Sequence, residues 1–232
     1  MKRNYKFKNF FSASVGIEPL FSSYFTYTRH FSTSLNLREA HFIKNERNQD
    51  GNPSIDPWFI TGFTDAEASF LVVFQKSSKA KNGFFISTRF KISLHVRDIE
   101  ILEQFKAYFG AGSLQSSGKG RNSVDFVVKS REELIKRVLP HFDKYPLITQ
   151  KRVDYELFKK ILIIIDKGEH LSRSGFEEII SIRSSLNLGL PENLREQYPD
   201  IIPSNRPLVE NSEIPHPQWI AGFTYFFYYF YF

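Results

Sequence analysis

Two carboxylates two residues apart, Asp65 and Glu67, close a short apolar stretch, WFITGFTDAEASF (58–70). Their type and setting point most directly to chemistry. A helix C-terminus leaves carbonyls unpaired and carries the negative end of the helix dipole. Two anions added there repel their surroundings unless a cation arrives, so the end of this helix reads as a divalent-metal site. Metal ions held by carboxylates can neutralise a phosphate, activate a water and stabilise a leaving oxygen, the three needs of phosphodiester hydrolysis. An ordinary solvated helix end is the plainer reading, and the neighbouring residues weigh against it. Thr61, Gly62 and Ala66 are small enough to let a second helix come close, and a weaker copy, WIAGFT, recurs at 219–224. Two such helices packed together would bring two acid pairs near each other.

The elements that must position these groups follow from periodicity. Asp56 and Pro57 suit the N-cap and first position of a helix over 58–66. A strand over 69–76, a turn at 79–83 and a second strand over 84–95 come next. The second strand alternates, with Phe84, Ile86, Phe90, Ile92 and Leu94 on one face and Ser87, Arg89, Lys91, Ser93 and His95 on the other. An amphipathic helix over 98–109 stops at Gly110, and a hairpin lies within 110–129, its strands joined by a turn at 116–120. A helix over 131–139 is expected to halt at Pro140, and a last one covers 149–165. Apolar side chains lie on one face of the strands only, so all the helices must cover that face. The expected class is α+β: an αββαββα repeat with its helices packed on one face of a curved antiparallel sheet.

The other face is left open, polar and positive. By alternation from Glu67 it carries Ser69, Leu71, Val73, Gln75 and Ser77, then Ser87, Arg89, Lys91 and Ser93, then Ser113, Gln115, Ser117, Arg121, Ser123 and Asp125. Arg and Gln can bond base edges bidentately, and Ser can serve either donors or acceptors. Lys79, Lys81 and Lys119 in the turns suit phosphates. A merely solvated face is the commoner fate of such strands; the shortage of acids here, Asp125 alone, favours a polyanion. The aromatic residues do not interleave with this polar set and belong to the core. The six histidines show no metal-ligand spacing.

Composition agrees. The 232 residues carry a net charge of +6 and a pI near 9.3, which suits a nucleic-acid partner. No cysteine is present, so disulfides and thiolate metal sites are excluded. No run approaches the roughly 18 apolar residues that span a membrane, so no membrane partner is expected. Residues 1–55 read as a leader, either disordered or transit-like, being basic, Ser-rich and acid-poor as mitochondrial targeting segments are. Frequent Phe and Tyr fit an A/T-rich organellar gene. Residues 56–167 form the repeat. Residues 168–217 read as a linker with one helix, over 175–188, and 218–232 as the truncated start of a second repeat.

Motif, element order and linker together resemble the LAGLIDADG homing endonucleases, most closely the fungal mitochondrial double-motif branch, whose motif runs W-L-x-G-F-x-D-A-E-G-x-F. The stretches FKISLHVRDIEILEQFKAYFGAG, HFDKYPLITQKRVDYELF and SIRSSLNLGLPENLREQYPDIIP extend the likeness over about 56–225. The resemblance implies an intron-encoded, sequence-specific endonuclease whose sheet lies in the major groove of double-stranded DNA and whose last motif acid binds Mg²⁺. That acid falls on Glu67, with the backbone carbonyl of Ala68 beside it. Asp65, Gly62 and Ala66 take the interface positions, and Lys151 stands where the family places a catalytic lysine. Ala68 replaces the usual Gly, and its methyl is expected to crowd the turn. In the second motif Tyr225 and Phe227 stand where acids belong. A lone repeat would leave the motif-helix face exposed, so activity would need a homodimer through that helix, with a Glu67 from each copy. The alternatives are a non-catalytic, maturase-like splicing factor binding intron RNA, or a gene remnant.

Overall fold

The computed structural model describes residues 46–47, 53–116, 118, 120, 122–209 and 213–231, with backbone alone for 46–47, 53–54 and 226–231. The expectations for residues 1–45, and for Ser117, Lys119 and Arg121, lie outside the described residues. A two-residue ladder, β1 (Glu46–Arg47) with β2 (Pro53–Ser54), precedes the repeat.

Helix α1 (Pro57–Glu67) begins as its sequence requires: the Asp56 carboxylate accepts from the Trp58 N–H at 2.7 Å, and Pro57 occupies the first turn. The chain then passes without a loop into β3 (Ala68–Lys76), followed by β4 (Phe84–His95), α2 (Ile99–Phe109), β5 (Ser113–Ser116) and β6 (Ser123–Val128). The sheet is antiparallel throughout, in the order β3-β4-β6-β5. Its register pairs Phe70 with Phe90, Ile92 with Phe126 and Leu114 with Phe126, so one face is a continuous apolar surface. Helices cover that face alone, as expected. The Phe70 ring meets those of Phe90, Phe142, Tyr155 and Phe158 at 5.3–5.6 Å between centroids, which places these aromatic residues in the core; Phe85 departs from the expectation, standing exposed on the outward face of β4 opposite Gln75.

Pro140 does not end the third helix. Helix α3 (131–144) runs through it, because a π turn at Leu134–Val138 precedes the proline, with the Leu139 N–H reaching Leu134 O. The wider turn relieves the clash between a proline ring and the carbonyl four residues back. Helix α4 (Lys151–Asp166) completes the repeat. The stretch read as a linker with one helix holds two, α5 (Arg173–Ser184) and α6 (Glu192–Gln197). Ser172 caps α5 by accepting from the Gly175 N–H at 3.0 Å. Phe176, Ile180 and Leu194 bury themselves with Phe84, so this segment is a packed layer at the sheet edge. A last helix, α7 (Pro217–Tyr231), extends well past Thr224.

One histidine has a place that spacing could not show. His141 is buried under α1 between two hydroxyls: Nε2 lies 3.2 Å from Thr61 Oγ1 and Nδ1 3.0 Å from Tyr108 OH. Thr61 Oγ1 spends its proton on Tyr145 O at 3.0 Å, so it accepts from Nε2–H, and Nδ1 accepts from Tyr108. Desolvation holds the imidazole neutral, its pKa lowered to about 3, and helps push the Tyr108 hydroxyl up to about 12. The unfolded chain therefore binds a proton at His141 between pH 6.5 and about 3 that the folded chain refuses. Stability falls as pH drops through this window. Urea midpoints measured from pH 7 to pH 4 are expected to decline less in His141→Gln than in the parent; equal slopes would contradict the assignment.

Candidate metal and nucleic-acid site

The two motif acids do not share one role. Asp65 is buried and accepts three hydrogen bonds: from Ile148 N at 3.1 Å, Thr149 Oγ1 at 2.6 Å and Trp219 Nε1 at 2.9 Å. Desolvation raises its pKa and these donors oppose the rise. The repulsion expected of an acid at a helix end is thus answered by neutral donors from the α3–α4 connection and from α7. Glu67 is half-buried and has no hydrogen-bond donor among the described residues. Burial raises its pKa, and Lys151 opposes the rise through space.

Lys151 is no surface lysine. It is the first residue of α4, and its ammonium is buried, donating to Ala68 O at 2.5 Å. Burial lowers its pKa against the pull of Asp65, Glu67 and Asp154. Thr149 Oγ1 also accepts from Lys151 N at 3.2 Å, so one hydroxyl joins the start of α4 to Asp65. Ala68 adopts φ −82°, ψ 166°, ordinary extended backbone that any residue can take, and it is buried. One lone pair of its carbonyl is already taken by Lys151.

Helix α7 packs across α1, so the motif-helix face is covered by the chain's own second copy of the motif. The crossing is reciprocal. A Cβ on Gly62 would lie 1.9 Å from Trp219 O, and one on Gly222 2.1 Å from Phe59 O. Gly62 and Gly222, like Phe59 and Trp219, are 160 residues apart, so the two helices meet about a local pseudo-dyad. The symmetry breaks at the acids. Trp219 donates to Asp65, whereas the equivalent pair, Phe59 and Tyr225, makes an edge-on ring contact at 5.8 Å.

The open face holds the expected polar set. Ser69 stands opposite Lys91, Leu71 opposite Arg89 and Val73 opposite Ser87 across β3 and β4, with Gln75 farther along. Ser93 pairs with Asp125, and Ser123, Ser113 and Gln115 continue the row on β6 and β5, which also holds the buried apolar Val127 opposite Lys91 and Ser113. Ser77 lies just past β3, its Oγ accepting from Lys79 N at 3.2 Å. The one acid is not a negative spot: Asp125 binds Lys91 Nζ at 2.7 Å and accepts from Ser93 Oγ at 2.7 Å. Lys129, which alternation would have added to this face, donates to Gln115 Oε1 at 3.0 Å, and Gln115 donates to Ser113 at 2.8 Å.

Among the described residues no group of three or more His, Cys, Asp or Glu could hold a metal, so a bound cation must draw on few protein ligands. Mg²⁺ does so, keeping several waters and taking one or two carboxylates with substrate phosphates. Glu67 fits it: a hard oxygen donor, partly desolvated and, among the described residues, free of hydrogen-bond donors. With Asp65 and Glu67 ionised and Lys151 protonated, the group carries one uncompensated negative charge.

The LAGLIDADG endonuclease family matches residues 60–162. Those residues belong to that family. The chain is 36% identical over 180 residues to the probable intron-encoded endonuclease 2 of Neurospora crassa, covering 73% of this chain and 40% of that protein. It is 41% identical over 122 residues to a Podospora anserina protein in ND4 intron 1, covering 52% and 26%. The structure matches that of the I-SmaMI LAGLIDADG homing endonuclease bound to cleaved DNA, with a TM-score of 0.71, 42% identity and coverage of 74% of this chain and 57% of that one. I-SmaMI bound to uncleaved DNA with calcium ions matches equally, at a TM-score of 0.71. The chain thus spans about two fifths of the N. crassa relative and somewhat over half of the solved endonuclease.

The close approach of α1 and α7 generates a prediction. Gly62→Ala places a methyl against the Trp219 backbone, which cannot yield as a flexible side chain would. A loss of about 3 kcal/mol in urea unfolding is expected. An unchanged midpoint would contradict the crossing.

Proposed function

We propose that this chain binds double-stranded DNA across its open sheet face and presents Glu67 to a divalent cation, Mg²⁺, at the scissile phosphate, as a homing endonuclease does. The observation that carries the reading is the setting of Glu67: a partly desolvated carboxylate without a hydrogen bond among the described residues, beside a buried cation, where the motif helix gives way to the first strand of the open face. Bound there, Mg²⁺ would supply charge to the phosphate and a water of lowered pKa. The chain's own residues do the rest. Asp65 holds the helix end in place, and Lys151 brings a positive charge within reach of the Glu67 carboxylate. Arg89, Lys91, Gln75 and Gln115 are the side chains suited to base edges; Lys76, Lys79 and Lys81 suit phosphates.

Tyr225 and Phe227 stand where a second acid pair would be, so of the two motif helices only α1 offers carboxylates at its end. Cutting both strands needs a second carboxylate from elsewhere. A homodimer built on α1 would require α7 to leave the face it covers. These aromatic replacements favour the second reading, a non-catalytic module that binds DNA or intron RNA in the manner of a splicing factor. The basic, acid-poor first 40 residues and the intron-borne relatives support a mitochondrial setting.

The purified chain, mixed with Mg²⁺ and plasmid carrying its candidate intron-insertion site, is expected to break at least one strand. Glu67→Gln is expected to abolish the break while retaining binding. Binding without breakage, unchanged by Glu67→Gln, would establish the non-catalytic reading instead.

A further inference from the structure

Strand β3 is an edge strand, and it carries Glu67's neighbour Ala68 as its first residue. Three of its carbonyls, at alternate residues from the metal-site end, are occupied by side chains. Lys151 Nζ donates to Ala68 O at 2.5 Å, Asn187 Nδ2 to Phe70 O at 2.8 Å and Arg183 Nε to Val72 O at 3.0 Å. Only the first of these donors belongs to the repeat. The other two come from the end of α5 and the turn after it, in the stretch that composition marks as a linker.

Asn187 is built for this contact. It is the sole described non-glycine residue with positive φ, at 51°, a conformation that Asn tolerates better than most residues. Its backbone N–H donates to Asp154 Oδ1 at 3.3 Å. Asp154 lies on α4 three residues after Lys151, and Arg206 fixes it with a contact of 2.6 Å. Asn187 therefore ties α4 to β3 at Phe70, one step along the same edge from where Lys151 ties α4 to β3 at Ala68. Arg183 holds the turn itself, donating to Leu186 O at 2.9 Å and to Gly189 O.

We infer that Asn187, supported by Arg183, is a positioning residue for the Lys151–Glu67 pair: it fixes the register of α4 against the edge of β3, so that the Lys151 ammonium stays on Ala68 O beside the Glu67 carboxylate. The inference rests on the reading of Glu67 and Lys151 given above. Outer contacts of this kind orient the groups that touch a metal or substrate and are costly to remove. The segment after the repeat is, on this account, part of the site's frame, and it also closes an edge that would otherwise be open to strand pairing.

The test uses the full chain. Asn187→Gly deletes the amide, and glycine accepts a positive φ without strain. Lys151 acylation by an N-hydroxysuccinimide ester, followed by mass spectrometry with exposed Lys106 as reference, is expected to quicken roughly fivefold, the equivalent of one lost hydrogen bond. Mn²⁺ affinity of the complex with target duplex, measured by electron paramagnetic resonance, is expected to weaken roughly tenfold. Duplex affinity without metal stays unchanged. Asn187→Asp, isosteric and equally tolerant of the backbone, turns the donor into an acceptor and is expected to act the same way. Either variant folding with Lys151 labelled at the parental rate would overturn the inference. Should Glu67→Gln leave Mn²⁺ binding intact, the metal reading of Glu67 fails, while Lys151 labelling still decides the brace.

Discussion

A buried carboxylate organises this protein. Asp65 has been taken out of water, which penalises its charge, and is repaid by three donors from two separate parts of the chain. The three donors fix two different elements. Ile148 N and Thr149 Oγ1 hold the turn that starts α4, and with it Lys151. Trp219 Nε1 holds α7. Because a buried acceptor left short of donors is expensive, the three elements move together or not at all. Glu67, two residues on, has no such partners among the described residues. The same helix end thus carries one acid committed to structure and one available to a cation.

The glycines make this arrangement reachable. Trp219 can reach Asp65 only if α7 lies against α1 almost backbone to backbone, and Gly62 and Gly222 permit that approach from opposite sides. The reciprocal contacts show two copies of one motif meeting about a pseudo-dyad. Up to position 224 the copies agree well enough to pack alike. At Tyr225 they part: the ring sits on Phe59 and Phe63, and an aromatic contact replaces a polar one. The second helix has kept the packing half of the motif in this chain and lacks its chemical half.

Most of the fold was legible because it rests on short-range rules. Alternation in 84–95 placed Phe84, Phe90, Ile92 and Leu94 inward, where they are buried, and the Asp56–Pro57 start of α1 followed from capping. The failures have physical causes. Pro140 was read as a stop, but a π turn can absorb a proline, and nothing local signals one. The linker looked like a tether because its composition is polar, yet Phe176, Ile180 and Leu194 suffice to fold it onto the sheet edge. At the site, Glu67 and Lys151 were singled out from the motif and the outward row from parity, and the described members of that row share one face of the sheet. The partners of Asp65 were not, since Thr149 and Trp219 lie 84 and 154 residues away. Nor was Asn187, whose value depends on a positive φ and a distant carbonyl.

The central claim is that this locked helix end offers Glu67 to a metal at DNA. Crystals of the chain with target duplex and Mn²⁺ would address it directly through the manganese anomalous signal. The account predicts a peak about 2.1 Å from a Glu67 carboxylate oxygen, shared with a phosphate, with Asp65 still held by Trp219 and Thr149. A peak coordinated by Asp65, or duplex on the open face with no metal at Glu67, would contradict it.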